Sequence, residues 1–102
     1  MNPILMKFVE WLLRHNIHFT VSSAFRTFEE NEACGGSKTS QHLTGDAIDL
    51  VPYESSVDDF ISRIKKSGFK YDQLIQYRTF VHVSFPRARK PRQMELNFTD
   101  RK

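Results

Sequence analysis

The stretch from Ser40 to Asp49 reads Ser-Gln-His-Leu-Thr-Gly-Asp-Ala-Ile-Asp and holds the densest chemistry in the chain. It sets the imidazole of His42 and the carboxylate of Asp49 on either side of Gly45, at the start of an apolar run. Nitrogen and oxygen donors of this kind suit a borderline ion such as Zn²⁺. A third donor of the same type is His82, inside the strand-like run Phe80-Val81-His82-Val83-Ser84-Phe85. Three protein ligands, with a fourth position left to water, is the pattern of a catalytic zinc site; structural sites fill all four positions with protein groups. Asp49 is hard to explain otherwise. A carboxylate among Ile48, Leu50 and Val51 is costly to bury unless a cation or a donor meets it.

Positioning these residues is the task of the surrounding elements. Asn2 and Pro3 open a first helix that runs to about His15, with Ile4, Leu5, Phe8 and Leu12 along one face and Asn16 as a left-handed stop. Ile17 to Ser22 alternates as a strand. Thr27 and Glu30 have capping-box spacing for a short second helix ended by Gly35-Gly36, and residues 37–45 read as a polar loop into a strand from Ala47 to Val51. Ser56 caps a third helix with Val57, Phe60, Ile61 and Ile64 on one face and Gly68 just past its end. Tyr71–Tyr77 and Phe80–Phe85 form a tight antiparallel hairpin across Arg78-Thr79, and Met94–Phe98 is a further edge-strand candidate. The expected fold is α+β, with about three helices against a small, mainly antiparallel sheet of about four strands. In that sheet Asp49 and His82 share one face of neighbouring strands, while Ile48, Leu50, Val81 and Val83 point into the core.

Composition narrows the classes. The chain has 102 residues, 39% of them hydrophobic, enough for one domain with its own core, here residues 1–86. Cys34 is the lone cysteine and reads as a small packed side chain, which excludes a disulfide scaffold. No targeting segment or membrane-spanning run is visible, so the protein is expected to be soluble, either cytoplasmic or delivered to the cell wall by a phage. Residues 87–102 form a basic tail carrying Arg87, Arg89, Lys90, Arg92, Arg101 and Lys102, expected to be a solvated end. No helix-turn-helix, RNA-stacking or zinc-finger pattern accompanies it, so neither nucleic acid nor membrane is an expected partner. A monomer acting on a peptide is the expected form.

The spacing Ser40-x-His42-x-x-Gly45-x-Ala47-x-Asp49 resembles the signature of the M15 zinc peptidases. The runs Ser22 to Thr27, Gly35 to Ser40 and Phe80 to Ser84 are similar to the small D-Ala-D-Ala carboxypeptidase-like branch, within the wider hedgehog/DD-peptidase fold. The resemblance implies that His42, Asp49 and His82 hold Zn²⁺ and that Arg26 binds substrate and steadies charge at the scissile carbonyl. It also puts Ser40 at the substrate site. A bound zinc polarises the carbonyl and lowers the pKa of water towards ~7. The implied activity is hydrolysis of peptidoglycan stem peptides, as a D-Ala-D-Ala carboxypeptidase or an L-Ala-D-Glu endopeptidase.

One position departs from that pattern. The family's catalytic carboxylate is expected three residues before the last histidine ligand, and Thr79 stands there. A threonine hydroxyl cannot serve as a base near neutrality. Asp72 is the first substitute by sequence, Glu54 the second, and Gln76 and Tyr77 are placed to orient a water without titrating. The alternative function is a catalytically silent zinc-binding module that recognises a cell-wall peptide or a protein partner.

Overall fold

The structure is a computed structural model that describes residues 2–23, 45–87 and 90–99. Among these residues it has two helices, α1 (Pro3–Arg14) and α2 (Val57–Lys66). Five strands complete it: β1 (Phe19–Ser23), β2 (Ala47–Pro52), β3 (Gln73–Tyr77), β4 (Val81–Ser84) and β5 (Met94–Phe98). No helix among the described residues is long and apolar enough to cross a membrane. The short helix expected after Arg26 and most of the 37–45 loop lie outside the described residues.

The helix ends follow the local chemistry that the sequence carries. The Asn2 carboxamide oxygen accepts from the backbone N–H groups of Ile4 (2.8 Å) and Leu5 (3.4 Å), with Pro3 at the first helical position. Asn16 takes the left-handed conformation (φ 54°) that turns the chain out of α1. Ser56 Oγ accepts from Asp59 N–H at 3.0 Å, and Gly68 follows α2 at φ 84°. Leu5, Phe8 and Leu12 of α1 and Phe60, Ile61 and Ile64 of α2 are buried against one face of the sheet with Ile48, Leu50, Leu74, Val81, Val83 and Phe85.

The sheet order is β1-β2-β4-β3-β5. β1–β2, β2–β4 and β3–β4 pair antiparallel, whereas β5 lies parallel to β3. The sheet therefore has five strands rather than four, because Met94–Phe98 is paired along the whole of β3. This also revises the expectation of a solvated tail. Asp72, fully buried at the foot of β3, accepts from Arg92 Nε (2.9 Å), Nη2 (2.8 Å) and backbone N–H (3.1 Å). Tyr71 donates its hydroxyl to Glu95 of β5, and burial, followed by that bond, pushes the phenol up to about 12. Residues 90–99 are thus tied to the core by a buried carboxylate, which must keep a cationic partner.

Arg92→Ala should cost about 3 kcal/mol, the low end for removing one partner of a buried ion pair. Urea unfolding checks this. A change within the ~0.5 kcal/mol typical of surface substitutions would mean that the C-terminal strand is dispensable.

Candidate active site

β2 and β4 are interior strands, so residues on them are held on both sides by ladder hydrogen bonds. Their register makes Asp49 and His82 direct cross-strand partners. His82 Nδ1 lies 2.9 Å from Asp49 Oδ1, and the two side chains are only 14% and 15% exposed. A carboxylate accepts and does not donate, so the Nδ1 proton belongs to the imidazole in this contact. The face opposite this pair is apolar throughout: Ile48, Leu50, Val81 and Val83 are 0–3% exposed. The alternation expected from the sequence accordingly places the polar pair on one side of the sheet and the core on the other.

Two local devices set the surroundings of the pair. Opposite Asp49, β1 shifts register between Val21 and Ser23, a bulge of the kind that re-aims side chains beside active sites. At the start of β2, Gly45 adopts φ 75°, and its carbonyl accepts from Asn2 N–H at 2.9 Å. The next residue, Asp46, is 6% exposed and accepts from Asn2 Nδ2 (3.1 Å), Arg87 Nε (3.0 Å) and Arg87 Nη2 (3.0 Å). Asn2 also donates to the carbonyls of Phe85 (3.2 Å) and Pro86 (3.3 Å). The start of α1, the end of β4 and the point where the His42 segment joins β2 are therefore one hydrogen-bonded unit. Sequence reasoning took Asn2 only as a helix cap and Arg87 only as part of a basic tail. The available signal was Asp46 itself, an acid leading into an apolar run and so in need of donors.

The other nominated residues fall apart from the pair or outside the described residues. His42, Arg26 and Ser40 belong to the latter group. Among the described residues no set of three His, Cys, Asp or Glu side chains is gathered for a metal. Asp49 and His82 are of donor types that would suit one. Donors held ~2.0–2.1 Å from a tetrahedral Zn²⁺ lie roughly 3.3 Å apart. At 2.9 Å, the Nδ1 and Oδ1 atoms of His82 and Asp49 would have to open by a few tenths of an ångström, and the Nδ1 proton would have to move to Nε2, for both atoms to hold the ion. Asp72 is committed elsewhere: fully buried and with both oxygens on Arg92, it is built as an anchor for the C-terminal segment. Glu54 lies past the end of β2, with its carboxylate 3.3 Å from His18 Nε2. Thr79 is exposed in the β3–β4 turn, and the residues on either side of that turn, Tyr77 and Phe80, stack on each other at 4.4 Å.

A family model described as Peptidase M15 matches residues 2–84, which span α1 to β4 and include both members of the pair. No curated protein matches the chain.

In the metal-free protein His82 should carry its proton on Nδ1, and Asp49→Ala should release that preference. Imidazole ¹⁵N shifts read the tautomer directly. An Nε2–H tautomer in the metal-free wild type would contradict the hydrogen bond.

Proposed function

The chain belongs to the peptidase M15 family, and on that premise we propose that it is a zinc-dependent enzyme that hydrolyses peptidoglycan stem peptides. The observation that carries this reading is the Asp49–His82 pair: two ligand types, cross-strand neighbours, at a separation close to that of two donors on one zinc ion. His42, three residues before Gly45 in the sequence, is the third ligand in this proposal. When bound, the ion supplies Lewis acidity, polarising a carbonyl and making water acidic enough to react near neutrality.

The protein's own groups then have separate tasks. Asp49 and His82 lie on interior strands and keep a fixed geometry, which lowers the reorganisation needed as charge develops. Arg26, permanently cationic, holds a substrate carboxylate or the developing oxyanion, and Ser40 contributes a hydroxyl to substrate binding. Asp72 takes no part in proton transfer here, since Arg92 engages both its oxygens. A carboxypeptidase on D-Ala-D-Ala and an endopeptidase on L-Ala-D-Glu are the two forms of the activity.

A second reading, a silent zinc module that binds a cell-wall peptide or a protein partner, is favoured by one specific observation. Asp72, the first candidate base by sequence, is fully buried with both oxygens engaged by Arg92. Elemental analysis after dialysis, combined with incubation on muropeptides, separates the two. The enzyme reading predicts one zinc per chain and a cleavage product. It also predicts that His82→Ala weakens zinc binding by more than the ~10–100-fold that loss of an outer-shell partner costs. Zinc without product at any pH would leave the silent module. A wild type that binds no zinc would overturn both.

A further inference from the structure

The register of the sheet arranges the pair's face in rows. Gln73 faces Ser84, Ile75 faces His82, and on the other side of β3 Ile75 faces Leu96 and Tyr77 faces Phe98. Tyr77 therefore stands on the same face as His82, one side-chain repeat nearer the β3–β4 turn. Tyr77 donates its backbone N–H to Phe80 O at 2.9 Å, and their rings stack at 4.4 Å with an interplanar angle of 9°. Phe98 closes on Tyr77 at 5.8 Å. All three rings are half-buried, unlike Phe8, Phe60 and Phe85 in the core, which are 0% exposed. Between Tyr77 and Phe80 along the chain is Arg78, exposed in the turn, whose Nε donates at 3.1 Å to the carbonyl of Thr99, the residue after Phe98. Phe98 and Thr99 lie beyond residues 2–84, the part matched to the family.

We propose that Tyr77, Phe80 and Phe98, with Arg78 of the intervening turn, form a substrate subsite for a peptide residue with an aliphatic body and a carboxylate end. The aromatic rings offer a C–H-binding platform, and the guanidinium offers donors matched to a carboxylate. Position sets which residue of the substrate arrives there. Phe80 precedes His82 by two residues, roughly 6.6 Å along a strand, and an extended peptide returns its side chains to the same side at that interval. The group selected is thus about two residues along the substrate from the bond at Asp49 and His82. This subsite rests on the reading of that pair as the reacting centre.

The test walks a single Glu/Gln exchange along a short stem-type peptide. Binding to zinc-loaded protein is measured by calorimetry, and cleavage is measured in the same samples. At one position the wild type should bind the Glu peptide about fivefold tighter than the Gln peptide, the scale of an exposed ion pair. Arg78→Gln, at an exposed turn position, should abolish that preference without altering zinc content. Phe98→Ala should weaken both peptides severalfold and keep the preference. Wild-type binding that is indifferent to the exchange at every position, or a preference that survives in Arg78→Gln, overturns the subsite. Preference without cleavage would leave the subsite standing and remove the hydrolytic reading; cleavage without preference would do the reverse.

Discussion

The register of β2 against β4 is the constraint on which the rest of the structure depends. Side chains alternate along a strand, so a slip of one residue would carry Asp49 into the apolar face and bring Ile48 and Leu50 out to solvent. An unpaired carboxylate buried among Leu12, Phe60 and Val83 is an expensive alternative, and the exposed leucine and isoleucine would add to it. The same hydrophobic alternation that stabilises the core therefore sets the Asp49–His82 contact at 2.9 Å. Fold and site are specified by one pattern, and the polar pair is held on two adjacent interior strands.

Around this centre, two buried acids tie distant parts of the chain together. Asp46 joins the start of α1 to the end of β4 through Asn2 and Arg87, just ahead of β2. Asp72 joins the foot of β3 to the C-terminal strand through Arg92. Each places a cation from beyond residue 86 against an acid on or beside a sheet strand, so the basic C-terminal segment neutralises charges that the core could not otherwise bury. The parallel β5 then extends the pair's face sideways and contributes Leu96 and Phe98 to it.

Much of this was legible in the sequence. Asn2, Asn16, Ser56 and Gly68 mark the helix ends by chemistry that acts within four residues, and the hairpin at Arg78-Thr79 needs only a short turn between two apolar runs. That Asp49 and His82 can share a face of the sheet followed from strand alternation; their direct register came from the β2–β4 pairing. What escaped depends on partners far apart along the chain. The Asp72–Arg92 and Asp46–Arg87 pairs span twenty and forty-one positions, and no local pattern encodes such a match. For that reason Asp72 read as a candidate base, and the arginines read as a solvated tail. The parallel pairing of β5 escaped for the same reason: parallel neighbours are joined by long connections, with no turn signal between them.

X-ray absorption at the zinc K-edge of the metal-loaded protein tests the central claim most directly. If Asp49, His82 and His42 hold the ion, the spectrum shows scattering from two imidazole rings with oxygen completing the shell at ~2.0–2.1 Å and no sulfur. His82→Ala then removes one imidazole contribution. A zinc–sulfur path near 2.3 Å, which only Cys34 or a methionine could supply, or an imidazole signal unchanged in His82→Ala, would contradict the account.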